Sequence, residues 1–412
     1  MKNNKIAIHS WALYDFANTI FSMNIVSMYF SLWIIKDLKA SDLTYSIALS
    51  ISMLMVAIFS PIMGVISDVY KKRMPYIIYF TLGSCLCTGL ISLTLNIYLS
   101  LILFIIANFC YQIALVFYNA LLPQLSTPDN IGKISGYGTA VGYIGSIVGV
   151  AMVMPFVSGK ILVWDVPIEP AGNIGAFVPT AILFLIFSLP IFLFVKDKQS
   201  PDQMSSAIKY QPFKKIWDSI VNTKKYPGVL TFLIANFFFL DAINTVISFM
   251  SVYSVKVVGF NEKTNEVQIM LMIATVGAII GSFLWGVIND LIGSKKALIY
   301  TLLLWIITLI GVIIINNKES FYFISILAGI SLGGVWTTSR PMMTELTPKE
   351  MYGEFFGLYS LSGKFSAIFG PMTWGLVIHI FKDYEILKYQ FAVFSQLFFL
   401  ILGLTLLFKI KE

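Results

Sequence analysis

Long apolar stretches recur along the whole chain, and they constrain its fold more than any other feature. Each is about 20 residues or longer, which is enough for a helix to cross the hydrocarbon core of a bilayer. A chain of 412 residues that is 58% hydrophobic and 12% charged has too few polar residues to cover so much apolar surface in water. We therefore expect an all-α membrane protein with about twelve transmembrane helices. Their predicted ranges are 8–35, 43–67, 75–95, 97–123, 134–157, 174–195, 228–254, 267–289, 296–315, 320–344, 354–381 and 387–408.

The basic residues predict the orientation of these helices. Most of the 28 Lys and Arg residues fall in loops that are cytoplasmic if both termini are inside, and such loops normally carry the positive charge. We therefore expect a multi-pass protein of the plasma (inner) membrane with both termini cytoplasmic. The longest hydrophilic stretch, 196–227, predicts a cytoplasmic linker between an N-terminal six-helix half, 1–195, and a C-terminal six-helix half, 228–412. The first apolar stretch contains Asp15 and lacks a cleavage site, so we interpret it as a retained helix.

One motif occurs in the first segment of each predicted half. Residues 15–22 and 241–248 both read D-x-x-N-T-x-x-S. Positions i, i+3 and i+7 share one face of a helix, so each copy predicts a polar stripe. The two stripes consist of Asp15, Asn18 and Ser22 and of Asp241, Asn244 and Ser248.

Two further echoes follow the same order along the chain. G-V-I-S-D at 64–68 and G-V-I-N-D at 286–290 each precede a basic cluster, and a Thr-Pro pair opens both 127–136 and 347–357. Three echoes at nearly constant spacing indicate duplication of a six-helix unit. Because six is an even number, both copies insert in the same orientation and are expected to be related by an axis along the membrane normal.

The echo after the second helix of each half resembles the signature loop of the major facilitator superfamily. The matching positions are Gly64, Asp68, Lys72 and Arg73, with Gly286, Asp290, Gly293, Lys295 and Lys296 in the second half. The pattern departs at Val69, where arginine is common, and at Lys71, where glycine is usual. The resemblance implies the major facilitator fold and a secondary transporter that works by alternating access. The expected gating residues are Gly64, Asp68, Arg73, Gly286, Asp290, Lys296, Glu345 and Glu354.

A narrower resemblance spans nearly the full chain. W-A-L-Y-D-F-A-N at 11–18, Y-N-A-L-L-P at 118–123 and the run from S-R-P at 339–341 to G-K-F at 363–365 resemble the autophagy-related vacuolar amino-acid effluxer-like family. The resemblance implies amino-acid export. Two alternatives stay open, namely a drug or metabolite efflux pump of broad specificity and a transporter-like receptor that moves no solute.

Ionisable and amide side chains at membrane depth are the candidates for substrate binding or ion coupling, because burying them in lipid is costly. They are Asp15, Asn18, Asn119, Asp241, Asn244, Arg340 and Lys364. Either aspartate serves proton or cation coupling, recognises a cationic group, or accepts hydrogen bonds that hold helices together.

The two deep basic residues have alternative interpretations. Arg340 either binds a substrate carboxylate or pairs with Glu345, Glu354 or an aspartate across the expected cavity, and such a structural pair would close the cytoplasmic side. Lys364 and Asp241 are predicted at similar depth, so we hypothesise an ion pair between them that breaks on substrate binding. A permanent structural pair is the alternative.

Motifs of other protein classes are missing from the sequence. It has no Walker A loop, no hydrolase or zinc-protease motif and no Cys-rich metal motif. We therefore expect neither an enzyme nor a cofactor or metal site, and we interpret Cys85, Cys87 and Cys110 as buried thiols. The expected partners are the lipid bilayer, a small-molecule substrate and a coupling proton or cation. We expect a monomer, and no nucleic-acid partner because the cations lie in the loops.

Overall fold

The computed structural model describes residues 2–161, 164–197, 226, 228–261 and 266–410. Twelve long helices follow one another in this part of the chain, which confirms the predicted all-α architecture. Their bounds are α1 Lys2–Phe21, α2 Asp42–Tyr70, α3 Met74–Ile91, α4 Ile97–Leu125, α5 Ile131–Ser158, α6 Phe177–Phe194, α7 Val229–Lys256, α8 Glu266–Ile292, α9 Ser294–Ile314, α10 Lys318–Leu346, α11 Tyr352–Ile380 and α12 Leu387–Phe408.

Eleven helical spans within the described residues are long and apolar enough to cross a membrane. They correspond to all the helices except α11, which has 29 residues. Large apolar side chains on these helices, among them Leu86, Ile307 and Phe394, are exposed on the protein surface. Such a surface is stable where lipid rather than water solvates it. The chain is therefore a multi-pass membrane protein.

Short polar residues set the limits of several helices. The Ser41 hydroxyl accepts a hydrogen bond from the Thr44 backbone N–H at 3.1 Å and caps the start of α2. Between α3, which ends at Ile91, and α4, the Asn96 side chain accepts a bond from the Leu99 N–H at 3.1 Å. The turn predicted at Asn96 therefore separates the two helices.

α1 continues beyond Phe21 in an irregular form. Ser22–Tyr29 and Trp33–Asp37 are π-helical, with the short α-helical piece Phe30–Leu32 between them. A π-helical turn contains more residues than an α-helical turn, so the face shared by positions i and i+7 is not kept beyond Ser22. Its counterpart α7 is α-helical throughout. The predicted stripe of α1 therefore ends where the irregular segment begins, at Ser22.

A small hairpin lies between α5 and α6, and the sequence pattern did not predict it. β1 Lys160–Ile161 pairs antiparallel with β2 Trp164–Asp165, and Lys160 is opposite Asp165. A 3-10 turn at Gly172–Ala176 leads into α6. These short elements leave the architecture helical.

The described residues form two compact units. The first contains α1–α4, the part of α5 from Val141 onwards, and α6; the second contains Ser126–Ala140, with the start of α5, and α7–α12. The boundaries 1–195 and 228–412 inferred for the halves stay a prediction. The predicted linker 196–227 lies outside the described residues except at positions 196, 197 and 226.

Each unit packs its helices in the same order. In the first, α1 packs on α6, α2 on α4, and α3 on both α4 and α6. In the second, α7 packs on α12, α8 on α10, and α9 on both α10 and α12. This correspondence matches the duplication inferred from the three sequence echoes.

Glycines allow α8 and α10 to approach backbone to backbone. A Cβ atom added at Gly277 would lie 2.6 Å from the Ile326 carbonyl oxygen, and one added at Gly329 or Gly333 would overlap carbonyl oxygens of α8. Small residues permit such close contacts between helices in lipid, where packing rather than water drives association.

Candidate functional site

In the first unit, the Asp15 motif of α1 faces a row of glycines on α5. Asp15 is buried, with 6% of its surface exposed. The Thr19 hydroxyl donates a hydrogen bond to the Gly142 carbonyl oxygen at 2.5 Å. A Cβ at Gly142 would lie 3.3 Å from Asp15 Cγ, and one at Gly145 would lie 2.5 Å from the Phe16 carbonyl oxygen. The glycines therefore let α1 and α5 meet along the motif.

In the second unit, the Asp241 motif of α7 faces Gly370 on α11. Asp241 is 1% exposed, and its Oδ1 accepts a hydrogen bond from the Gly370 backbone N–H at 2.6 Å. A Cβ at Gly370 would overlap Thr245 Oγ1 and lie 2.8 Å from the Asp241 carbonyl oxygen. Glycine is therefore required where the carboxylate reaches the α11 backbone.

The contacts of the Asp15 motif and of the Asp241 motif correspond. Each includes a threonine that the predicted polar stripes leave out. In each motif the aspartate and the threonine four residues later, Thr19 or Thr245, approach the glycine face of the helix opposite. Positions i and i+4 share a helix face. The threonine of the D-x-x-N-T motif therefore lies on the same face as the aspartate, and it is the sequence feature that indicates this contact. The predicted stripes use the spacing i, i+3 and i+7, which leads to Ser22 and Ser248 instead.

Several amides at the predicted sites have polar atoms without a partner. Asn18 is 1% exposed, and neither its Oδ1 nor its Nδ2 has a hydrogen-bond partner among the described residues. The same holds for Oδ1 of the half-buried Asn119. Asn244 is half-buried, and its carbonyl oxygen accepts a bond from the Ser248 hydroxyl at 2.8 Å. An amide with both groups unpaired can both donate to and accept from a bound solute.

Lys364 lies half-buried in the middle of α11. Within the described part of the chain, its ammonium group forms neither an ion pair nor a hydrogen bond, and Asp241 is bonded to Gly370 instead. A permanent Lys364–Asp241 pair is therefore wrong for this structure. Gly370 lies six residues beyond Lys364, about 9 Å along the helix axis, and its N–H occupies the carboxylate.

The aromatic residues of the opening motif have a packing role. Trp11 stacks on Tyr118 with ring centroids 4.6 Å apart, and its Nε1–H donates to the Tyr118 carbonyl oxygen at 3.1 Å. The hydroxyls of Tyr14 and Thr81 are hydrogen-bonded at 2.5 Å. These fully buried contacts fasten α1 to α3 and α4.

The end of α8 meets the start of α5 within the second unit. The Asp290 carboxylate accepts hydrogen bonds from the backbone N–H groups of Gly132, at 2.6 Å, and Lys133, at 3.0 Å. A Cβ at Gly286 would lie 2.8 Å from the Gly132 carbonyl oxygen. Asp290 thus caps the start of α5. Its negative charge also interacts favourably with the positive end of the helix dipole. Lys296 lies exposed near the start of α9.

Arg340 and the two predicted glutamates occupy different surroundings. Arg340 is buried in α10, and its Nη1 lies 3.5 Å from Thr139 Oγ1, at the long limit for a hydrogen bond. Glu345 accepts a bond from the Ser294 hydroxyl at 2.5 Å, at the first residue of α9. Glu354 is buried in the first turn of α11.

The loop after α2 in the first unit corresponds to the loop after α8 in the second unit, and it contacts an additional aspartate. Arg73 and Asp68 form a buried ion pair at 2.9 Å, and Gly64 is buried one turn before Asp68. The Asp197 carboxylate accepts bonds from the backbone N–H groups of Arg73, at 2.9 Å, and Met74, at 3.2 Å. The predicted linker 196–227 contains Asp197, because nothing in its local sequence indicates a bond to a helix start so distant along the chain.

Relatives with similar sequences cover nearly all of this chain. The family described as "Vacuole effluxer Atg22 like" matches residues 39–412. The MFS-type transporter YxiO of Bacillus subtilis is 25% identical over 423 residues, which cover 98% of this chain and 94% of that protein. Autophagy-related protein 22 of Vanderwaltozyma polyspora is 25% identical over 421 residues, which cover 90% of this chain and 78% of that protein.

Two solved transporter structures have a similar fold. The human organic anion transporter MFSD10 (TETRAN) has a TM-score of 0.76 and 12% identity, and the match covers 98% of this chain and 99% of that one. A bacterial homologue of the iron transporter ferroportin in an outward-facing state has a TM-score of 0.74 and 11% identity, covering 99% of each chain. At these identities the likeness shows the fold alone.

Proposed function

The chain belongs to the Atg22-like vacuole effluxer family and is a transporter of the MFS type, and from this premise we propose that it moves a small zwitterionic solute of the amino-acid class by alternating access. Membership of the family agrees with the resemblance inferred from the motifs. The relatives and structural neighbours are transporters rather than enzymes.

The charge of Lys364 supports a solute with an anionic group. A cation buried in a membrane helix needs a counter-charge or water to offset the loss of its hydration. Lys364 has no carboxylate partner among the described residues, so the solute's carboxylate is the counter-ion that we assign to it. In the first unit, the unpaired Asn18 amide offers both a donor and an acceptor to polar groups of a solute.

Asp241 carries the coupling step in this proposal. Its carboxylate is buried and hydrogen-bonded to a neutral N–H group. Binding of a proton or another cation would therefore strongly lower the free energy of this buried negative charge. Among the described residues, no cationic side chain pairs with this buried carboxylate, and this is the observation on which the proposal rests. The ion gradient then supplies the driving force that ATP supplies in other pumps.

Asp290 and the start of α5 form one side of a gate in this proposal. The two hydrogen bonds to Asp290 and the close approach of Gly132 and Gly286 hold this contact. With both termini cytoplasmic, the contact lies on the cytoplasmic side of the plasma (inner) membrane. We assign the transporter a monomeric state, which is normal for a fold that contains both halves in one chain.

The test is ion-gradient-driven uptake of labelled amino acids by purified protein in proteoliposomes. Asp241→Asn removes the titratable charge and nearly preserves the shape, so it should reduce uptake of the best amino acid by at least about tenfold. Asp383→Asn makes the same chemical change at an exposed loop position and should leave uptake unchanged. Normal uptake by folded Asp241→Asn would remove the coupling role.

A further inference from the structure

A groove of about 510 Å³ runs along the surface of the second unit between α11 and α12. Most of the residues that line it are apolar, and several of their large side chains are exposed on the protein surface. These exposed side chains are Phe369, Met372, Leu376, Phe394 and Phe398. In a membrane protein such a surface faces acyl chains rather than water, so the groove opens to lipid.

Thr373 and Ser395 are the polar residues of the lining, and both of their hydroxyls are engaged. The Thr373 hydroxyl donates to the Gly370 carbonyl oxygen at 2.8 Å, and the Ser395 hydroxyl donates to the Ala392 carbonyl oxygen at 2.7 Å. Both hydroxyl oxygens also accept from the amide of the buried Gln396, at 3.2 Å and 3.1 Å. The groove therefore presents no unpaired hydroxyl, which suits an occupant that makes apolar contacts.

α7 supports both walls of the groove, because it packs on α11 and on α12. The ring of Phe237 lies 5.7 Å from that of Phe369, and the ring of Phe238 lies 6.1 Å from that of Phe399, measured between centroids. The bond from Gln396 to Thr373 joins α12 directly to α11. These contacts fix the two walls relative to each other.

The groove-lining faces of both helices lead to a basic residue at the same end. On α11, His379 lies three residues after the lining residue Leu376, and on α12, Lys388 lies seven residues before the lining residue Ser395. Residues at these spacings share a helix face. The turn 381–386 joins the two helices at this end, so His379 and Lys388 flank one mouth of the groove.

The turn beside this mouth carries charges of both signs. Lys382, Asp383 and Glu385 are exposed, and none of them or Lys388 forms an ion pair with another described residue. Tyr384, also exposed, lies among them. Lysine and tyrosine at a helix end are typical of the interface between the hydrocarbon core and the headgroups. The charges are therefore placed where a lipid headgroup lies.

The dimensions of the groove match one acyl chain. From Phe369 to His379 the helix advances ten residues, about 15 Å, which is half the thickness of the hydrocarbon core. A methylene group occupies about as much volume as a water molecule, about 30 Å³. A volume of about 510 Å³ therefore holds a chain of ordinary lipid length.

We propose that this groove binds one acyl chain of a phospholipid whose headgroup carries both a negative and a positive charge. The phosphate lies at His379 and Lys388, whose N–H groups are suitable donors, and the headgroup ammonium lies at Asp383 or Glu385. A headgroup with a negative charge alone would leave these two carboxylates without a counter-charge. The proposal adds a lipid site outside the transport path and does not depend on the proposed function.

The test uses purified full-length protein in detergent and phosphatidylethanolamine with a photoactivatable group on its acyl chain. After irradiation and digestion, mass spectrometry locates the label. We expect the label to be concentrated in peptides covering 369–377 and 394–399. Unlabelled phosphatidylethanolamine should displace it, and phosphatidylglycerol at the same concentration should displace it less.

Two variants test the groove and the headgroup contacts separately. Ser395→Phe places a ring inside the groove and should lose most of the label, whereas Thr405→Phe, at an exposed position of α12 outside the lining, should keep it. The double variant His379→Gln/Lys388→Gln should bind phosphatidylethanolamine at least about threefold more weakly, as expected for exposed polar contacts. Lys409→Gln, at the opposite end of α12 and also exposed, should bind like wild type.

Label spread evenly over the exposed faces of all the helices, or unchanged labelling of folded Ser395→Phe, would overturn the proposal. Equal displacement by phosphatidylglycerol would contradict the headgroup contacts, and a dimer cross-linked through α11 and α12 would show that a second copy of the chain covers the groove instead. None of these results involves transport. A failure of the proposed function would appear in the uptake of amino acids and would leave the labelling unchanged.

Discussion

Gly370 illustrates how one residue can set the distance between two membrane helices. Any larger residue places a Cβ against Thr245 Oγ1 and the Asp241 carbonyl oxygen, so α7 and α11 must separate. Separation would also weaken the hydrogen bond from the Gly370 N–H to Asp241. The residue is therefore constrained by packing and by the carboxylate that it contacts.

We predict that Gly370→Ala lowers the stability of the purified protein by about 1–3 kcal/mol, as overpacking of a tight contact does. Thermal unfolding in detergent measures the effect. Gly375→Ala is the matched control, because it lies in the same helix and a Cβ there meets nothing within 4 Å. Both changes gain the same intrinsic helix propensity. Equal melting temperatures for the two variants would contradict the described contact.

For single residues, the sequence predicted which polar side chains are buried better than it predicted the groups that they contact. Burial cost singled out Asp15 and Asp241, and the structure buries both. The partner of Asp241 was not predictable, because a backbone N–H such as that of Gly370 leaves no mark in residue type. Lys364 was assigned to Asp241 from depth alone, and depth does not fix the direction in which a side chain points.

The start of α5 shows how a single carboxylate can anchor a whole helix. The first N–H groups of a helix have no intrahelical acceptor, and Asp290 satisfies those of Gly132 and Lys133. Gly286 and Gly132 permit the approach that these bonds need. The gate that we assign to this contact therefore depends on one carboxylate and two glycines.

We predict that Asp290→Ala speeds amide hydrogen exchange at the start of α5 by about tenfold, since two charge-assisted hydrogen bonds are lost. Hydrogen–deuterium exchange with mass spectrometry measures this for peptides covering 131–134. Asp129→Ala removes an exposed carboxylate just before the same helix and should leave the exchange rate unchanged. The same exchange rate in both variants would mean that Asp290 does not hold the helix.

The helical elements were predictable because each long apolar run has few alternatives in lipid. Their irregularities were not. The π-helical segment Ser22–Tyr29 depends on how α1 packs, since the equivalent positions of α7 carry a similar motif and remain α-helical. The β1–β2 hairpin consists of two-residue strands, which are too short to produce a periodic pattern.

For the whole molecule, hydrophobicity and internal repetition predicted the architecture. The three echoes anticipated the matching packing of α1, α2 and α3 with that of α7, α8 and α9. In the proposed function, substrate recognition depends instead on a few side chains such as Asn18 and Lys364, and their lack of partners among the described residues is not readable from the sequence. The sequence also placed Asp197 in a linker, although it caps α3.

Above all, we propose that this protein carries amino-acid solutes across the membrane by alternating access. Solute counterflow tests it most directly, because exchange needs only a site that opens to each side in turn and requires no ion gradient. Proteoliposomes are loaded with an unlabelled amino acid and diluted into a trace of the labelled form. We predict a transient accumulation of label for at least one amino acid, absent in protein-free liposomes. No accumulation for any amino acid by correctly folded, inserted protein would contradict the account.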